Sequence, residues 1–206
     1  NDVIAPVISA VSSGSVTGTS AVISWNTNAI ADSQVEYGLT TAYGSFTTLD
    51  AVLFTSHSQT ISGLLSATLY NYRVLSRDAA GNLATGSNQT FTTLDTIVPT
   101  VSLTAPLTGA TVSGTTTTVS ATATDNVGVV GVQFKLDGVN LQAEDTTSPY
   151  AITWDTTATL NGAHTLTAVA RDAAGNSNIS VGVSVTVSND VIAPVISAVS
   201  SGSVTG

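Results

Sequence analysis

The chain carries the same eighteen residues at both of its ends. Residues 1–18 (NDVIAPVISAVSSGSVTG) recur letter for letter as residues 189–206, which lie 188 positions later. A shared fold does not require eighteen consecutive identities, because one fold accepts many sequences. We therefore expect this sequence to be a window on a longer tandem array, with one full repeat and the opening of the next. Such a chain folds as a series of compact units rather than around one large core.

A second, weaker period divides the repeat into halves. The hexapeptide Arg77–Asn82 (RDAAGN) recurs as Arg171–Asn176, 94 residues later. The pattern D-x-I-x-P begins at Asp2, Asp95 and Asp190, in steps of 93 and 95 residues. About 94 residues is the usual size of a small β-sandwich. We therefore predict one domain in residues 1–94, a second in 95–188, and the first strand of a third in 189–206.

Apolar residues alternate with polar ones along most of the chain, and this pattern predicts an all-β fold. The clearest run places four valines at every second position of residues 181–187. Each run spans four to eight residues and is bounded by Gly, Asn, Asp or Pro, as in half-buried strands. Six or seven short strands per domain indicate two tandem Greek-key β-sandwiches. The predicted strands are 7–11, 20–25, 34–37, 46–48, 58–61, 69–76 and 89–93, then 100–103, 116–124, 130–136, 150–154, 164–171 and 181–187.

Composition excludes several classes of partner. The chain has thirteen acidic residues against four basic ones and a net charge of −9. Phosphate backbones bind clustered Lys and Arg, so we expect no nucleic-acid partner, whereas cations are compatible with this charge. Ser, Thr and Asn interrupt every apolar run well short of the ~18 residues that a membrane helix needs. We therefore expect no membrane insertion in this segment.

The first half resembles a fibronectin type III domain, in particular the one at the N-terminus of purple acid phosphatases. The resemblance implies a β-sandwich in which Tyr70 is the corner tyrosine. It covers only that enzyme's accessory domain, so none of the enzyme's metal ligands transfer to this chain. The matching segments are Ser24-Trp25, Val35–Gly38, His57, Gly63-Leu64, Thr68–Val74 and Phe91–Thr93.

The second half resembles bacterial Ig-like repeats. Modules of both kinds are implied to be accessories of surface proteins and secreted enzymes. The segments that carry this second resemblance are Ala123–Val129, Val132–Gly138, Ser148–Tyr150, Trp154-Asp155 and Asn161–Leu166.

Acidic residues fall in loops that a sandwich brings to one pole, and they predict calcium sites at the inter-domain junctions. Carboxylate and amide oxygens are the ligands that Ca²⁺ prefers. The alternative is turn chemistry, in which Asp caps its own loop and Gly81 or Gly175 supplies a positive φ. Both interpretations remain open at this point. The candidate metal ligands are Asp95, Asp125, Asn126, Asp172 and Asn176 in the second domain, Asp2, Asp78 and Asn82 in the first, and Asp190 at the start of the next repeat.

Other reactive or aromatic residues favour structural roles. His57 and His164 lie in different predicted domains, and neither sits in a recognisable nucleophile motif. We therefore expect no enzymatic activity. Trp25 and Trp154 are candidate platforms for sugar stacking, but both lie at the inward phase of a predicted strand, so we expect them in the cores. We expect the same of Tyr37, Tyr70, Tyr72, Phe46, Phe91 and Phe134.

These features predict a structural repeat of an extracellular stalk, fibre or filament on a microbial cell surface. Its partners are other copies of itself, joined in one covalent array or by exchange of the strand encoded in residues 189–206. One alternative is a carbohydrate- or receptor-binding adhesin module, for which a row of exposed aromatic residues is the distinguishing feature. Another is a spacer in a secreted hydrolase.

Overall fold

The computed structural model describes residues 2–189, so Asp190 and the predicted strand that follows it lie outside the described residues. Within this range the chain is almost entirely β, with one 3₁₀ turn at Thr156–Ala158. The predicted all-β fold is therefore confirmed. Residue contacts divide the chain into two compact units. The first comprises residues 2–99, 125–128 and 172–176, and the second comprises 100–124, 129–171 and 177–189. The boundaries 94/95 and 188/189 stay predictions.

The first unit contains strands β1 to β7, and a single long strand joins its two sheets. β2 pairs antiparallel with β1 up to Thr27 and with β4 up to Ser33, and from Gln34 onward it pairs antiparallel with β3 and β5. β5 also pairs with β6 and β7. The strands are β1 Ile8–Gly14, β2 Ser20–Gly38, β3 Ser45–Phe46, β4 Asp50–Ser62, β5 Leu69–Arg77, β6 Leu83–Thr85 and β7 Gln89–Thr92.

The core of the first unit lies between the alternate side chains of these strands. Along β2, Ala21, Ile23 and Trp25 are buried while the residues between them are less so. Trp25 is 1% exposed, and its indole nitrogen donates a 2.9 Å hydrogen bond to Ser76 Oγ. Buried indole N–H groups need such a partner. The period-two pattern therefore identified the inward face of this strand correctly.

The second unit contains strands β8 to β16 in two sheets. One sheet has the order β13-β10-β8, and the other has the order β12-β11-β14-β16-β9, with β15 paired to β14. β16 and β9 run parallel, with Val185, Thr186 and Val187 opposite residues 110–112. The strands are β8 Thr100–Ala105, β9 Ala110–Val112, β10 Thr117–Thr124, β11 Val129–Leu136, β12 Val139–Asn140, β13 Tyr150–Trp154, β14 Gly162–Asp172, β15 Ser177–Ile179 and β16 Val183–Val187.

Large side chains from both sheets fill the core of the second unit. Phe134 is fully buried, and Trp154 and Leu166 pack in the same cluster. A tight hairpin follows β11, in which Asp137 and Gly138 both adopt positive φ between β11 and β12. This is the backbone that a two-residue Asp-Gly turn requires.

Several details of the sequence prediction were wrong, among them the start of β4, which was predicted at residue 58 and lies at Asp50. The segments 20–25 and 34–37 were predicted as separate strands, but β2 runs through both. Its pairing with β4 shifts register between Asn26 and Ala31 and again before Ser33, so polar residues there mark irregularities rather than the end of the strand. Phe46 was expected in the core but is 55% exposed on β3. The three-residue strands β6, β9 and β15 were not predicted, because each is too short to show a period.

Candidate metal centre

Three aspartates that follow or end strands lie close together in the first unit. Asp95 lies shortly after β7, Asp125 follows β10, and Asp172 is the last residue of β14. One carboxylate oxygen from each lies within 4.8 Å of the others. Among residues 2–189, these three aspartates form the group of acidic or histidine side chains whose spacing suits metal ligands. We call these three residues the aspartate triad.

The loop from Asp172 to Asn176 is built by its own side chains. Asp172 is 1% exposed, and its two oxygens accept from the backbone N–H and the side-chain amide of Asn176, at 2.8 and 2.7 Å. The Asp172 N–H donates in return to the Asn176 carbonyl at 3.0 Å. Gly175 adopts a φ of 92°, a conformation that side chains disfavour. The turn chemistry expected of this loop is therefore present.

Asp125 differs from the other two because one of its oxygens has no partner. Oδ2 accepts from the N–H groups of Val127 and Gly128 at 2.9 and 3.0 Å. These two bonds hold the pKa of the Asp125 carboxyl below its usual value and favour its charged form, and the bond from Gly128 contributes most. Oδ1 is inaccessible to solvent and accepts no hydrogen bond. A buried carboxylate oxygen without a partner is costly and therefore uncommon.

Asp95 completes the triad, and amide groups hold it in place. Its Oδ1 accepts from Ser66 Oγ, the Ile97 N–H and Asn126 Nδ2 at 3.2 to 3.3 Å. Its backbone carbonyl accepts from Asn176 Nδ2 at 3.3 Å. The two predicted amide ligands, Asn126 and Asn176, therefore donate to the carboxylates and carbonyl of this cluster and orient them.

The other copy of the hexapeptide forms the same loop. Asp78 accepts from the backbone N–H of Asn82 at 2.9 Å and from its side-chain amide at 2.8 Å, and the amide also donates to the Asp2 carbonyl at 3.3 Å. The Asn82 amide is the main cause of a lowered Asp78 pKa. Asn28 lines the same cavity as Asp2 and Asp78, and its Oδ1 accepts from the Val7 N–H at 2.7 Å. Among residues 2–189, Asp2 and Asp78 do not belong to a group of three acidic or histidine side chains with the spacing of metal ligands.

His57 is a buried structural residue with a defined tautomer. It is 3% exposed and stacks on Trp25, with ring centroids 5.0 Å apart. Thr27 Oγ1 donates to the Ala29 carbonyl, so it accepts from His57 Nε2 at 2.8 Å. Nδ1 is then the acceptor of the 2.7 Å bond from Ser33 Oγ. Burial lowers the His57 pKa, although acidic neighbours oppose the shift.

His164 has a different environment in the second unit. Its Nδ1 lies 2.6 Å from Asp137 Oδ2, and Nε2 lies 2.9 Å from the Leu160 carbonyl. The hydrogen bond to Asp137 is the main cause of a raised His164 pKa. Neither histidine contacts a serine or threonine in the arrangement of a nucleophile and its base with an orienting acid.

Possible recognition residues are largely buried. Trp25 and Trp154 both lie in cores, as predicted, so neither offers a stacking surface for sugars. Among residues 2–189, the exposed aromatic side chains are Phe46 and Phe54, which are about half exposed and lie on different strands. Lys135 Nζ donates to Asn140 Oδ1 at 2.8 Å across the exposed β11–β12 hairpin.

A protein-family model for the bacterial Ig domain matches residues 99–168. This stretch is similar to bacterial Ig domains. The family model matches the second half of the chain, where a resemblance to bacterial Ig-like repeats was expected, and that expectation is confirmed. With the β-sheets of both units, this match supports a tandem arrangement of Ig-like β-sandwiches. Bacterial Ig-like domains are typically non-catalytic and usually extracellular.

A curated relative is similar to more than half of the chain. Chitinase A1 of Niallia circulans is 39% identical over 137 residues, a match that covers 61% of this chain. The chain spans only 18% of the length of that enzyme. These matches fit a structural or spacer module.

Two solved structures with fibronectin III-like or FN domains are similar to most of the chain. The fibronectin(III)-like modules of Clostridium thermocellum CbhA are 21% identical with a TM-score of 0.41, covering 87% of this chain and 94% of that one. The FN1–FN3 domains of chicken CNTN1 are 14% identical with a TM-score of 0.44, covering 90% and 67%. The described residues contain no helix with the length and hydropathy of a membrane span.

Proposed function

We propose that this chain is the repeating structural unit of an extracellular stalk or fibre on a microbial cell surface. The observation that carries the proposal is the identity of residues 1–18 with residues 189–206. The same segment therefore occurs twice at an interval of 188 residues. We infer from this identity that the 188-residue unit is repeated linearly.

The contacts of the first copy explain what the second copy supplies. β1 pairs antiparallel with β2, and Ile8, Val11 and Val16 pack against the core of the first unit. Residues 196, 199 and 204 repeat these side chains. The second copy therefore begins the first domain of the next repeat, or replaces β1 in the first unit of another chain. We favour the covalent array, because it needs no displacement of a paired strand.

The experiment is a denaturing gel of the native material, with negative-stain imaging of the same sample. The covalent array predicts one very large chain and a beaded or regular filament. A filament that dissolves into bands near the mass of one 206-residue chain indicates strand exchange. Isolated particles that remain folded and monomeric would refute the fibre.

Recombinant variants of this chain separate the two routes of assembly. Under strand exchange, Ile196→Asp with Val199→Asp abolishes concentration-dependent oligomers in light scattering, because both side chains copy inward residues of β1. Ser197→Asp is the matched control, because its counterpart Ser9 is exposed. A chain that is monomeric before and after these substitutions leaves the covalent array as the route.

A second candidate is a spacer in a secreted hydrolase, and the similarity to chitinase A1 favours it. In that case the repeats hold a catalytic domain away from other domains and contribute no chemistry. Identifying the full-length chain by mass spectrometry of the native protein distinguishes the two, because a spacer is accompanied by a hydrolase domain. The adhesin alternative has less support, since the exposed aromatic side chains are few.

A further inference from the structure

We propose that the aspartate triad binds one Ca²⁺ ion per chain. Oxygens that ligate one Ca²⁺ at about 2.4 Å are at most about 4.8 Å apart. The oxygens offered by Asp95, Asp125 and Asp172 satisfy this limit without rearrangement. Three carboxylates supply the charge that a hard divalent cation needs, with water completing the shell.

The unpaired oxygen of Asp125 is the independent observation that indicates a ligand. Its partner oxygen is fixed by two backbone N–H groups, which leaves Oδ1 buried, unpartnered and free to ligate a cation. Among residues 2–189, Asp125 Oδ1 is the buried side-chain oxygen or nitrogen atom that lacks a hydrogen-bond partner. By contrast, Asp78, the counterpart of Asp172 in the first copy of the hexapeptide, has both oxygens paired by Ala80 and Asn82.

No basic side chain neutralises the triad within residues 2–189. Adjacent carboxylates repel one another unless a cation lies between them. The ion pairs of the described residues use other acids, namely Glu36 with Arg73, Glu144 with Arg171, and Asp137 with His164. A cation between the three carboxylates removes both the repulsion and the unpaired oxygen.

Calorimetric titration of the 206-residue chain with CaCl₂, after dialysis against EGTA, tests the site. We expect one ion per chain, with a dissociation constant of about 0.1–1 mM, the range of extracellular modules. The melting temperature of the first unit rises by about 5 °C or more at a hundredfold excess over that constant. Absence of both heat and melting shift at about 10 mM CaCl₂ overturns the proposal.

Variants locate the ion. Asp125→Asn keeps an oxygen for the Val127 and Gly128 N–H groups but removes the charge, and we expect it to weaken Ca²⁺ binding about tenfold or more. Asp78→Asn is the control, because it removes one carboxylate charge from the Asp78–Asn82 loop, the counterpart of Asp172–Asn176, and we expect Ca²⁺ binding unchanged. Each variant is first shown to be folded by circular dichroism in EGTA. If Asp125→Asn binds as the wild type does, or if Asp78→Asn weakens binding equally, the site is not the triad.

Discussion

Acidification should destabilise the first unit through His57. Protonation makes Nδ1 a donor, so the hydroxyl of Ser33 must turn to accept and loses the acceptor for its own hydrogen. Ser33 is buried, and an unpaired buried hydroxyl costs about 1–3 kcal/mol. In the folded chain the charged imidazole is also buried away from water, which costs solvation free energy. Both effects oppose protonation of the folded chain.

The sign of the pH effect follows from the lowered pKa of His57. The unfolded chain binds a proton near pH 6.5, while the folded chain binds it only at lower pH. The stability from neutral His57 is therefore complete above about pH 6.5 and is lost as pH falls through the window below it. The loss within that window approaches about 1.4 kcal/mol per pH unit.

Urea unfolding at several pH values measures this effect, with the backbone amides of β2 followed by NMR as reporters of the first unit. His57→Phe is the reference, because it keeps a ring against Trp25 but does not titrate. We expect the variant to be less stable at pH 7.5 by about 1–3 kcal/mol, since two buried hydrogen bonds are lost. The wild-type advantage should shrink by up to about 1.4 kcal/mol between pH 6.5 and 5.5. An advantage that is constant or grows on acidification would refute the reasoning.

Three further predictions concern other parts of the chain. Gly38→Ala should cost about 1–3 kcal/mol of unfolding free energy in urea titrations, because a Cβ there would overlap the backbone carbonyl of Tyr43. Phe134→Ala should cost the second unit about 3–5 kcal/mol, whereas Leu160→Ala, at a side chain 83% exposed, should change its calorimetric melting little. His164→Phe should remove a pH-dependent contribution to stability whose sign is opposite to that of His57. Because the His164 pKa is raised in the folded chain, this contribution is complete below about pH 6.5 and is lost as pH rises through the pKa of the folded state. Melting curves of the wild type and the variant from pH 5 to 8 measure it.

Much of the fold could be predicted because strand alternation survives in the sequence. Tyr150–Trp154 has its predicted bounds, and Leu69–Arg77 and Thr117–Thr124 differ by one residue. β2 could not be predicted as one strand, because its centre carries Asn, Asp and Ser, which usually mark loops. The buried Thr27 and Ser33 there satisfy their hydroxyls through His57, a contact between distant positions that no local pattern shows.

The candidate site was predictable in outline but not in detail. Greek-key topology places the loops after Asp95, Asp125 and Asp172 at one pole, so their approach followed from the strand order. The unpaired oxygen of Asp125 could not be predicted from the strand order, because it depends on how two N–H groups turn toward the other oxygen. The sequence also did not show that the amides of Asn126 and Asn176 donate to carboxylates and to a backbone carbonyl.

The parallel pairing of β9 with β16 has a mechanical consequence. β9 lies near the start of the second unit and β16 near its end, yet the two strands run side by side in the same direction. Tension that pulls β9 from its N-terminal side and β16 from its C-terminal side slides the strands past each other. The hydrogen bonds between the two strands then bear the load in shear and break together rather than one at a time. Two further bonds share this load, from the Gly109 N–H to the Ser184 carbonyl and from the Ser188 N–H to the Val112 carbonyl. A unit joined in this way resists stretching more than it resists peeling, which suits a chain held under pull along its length.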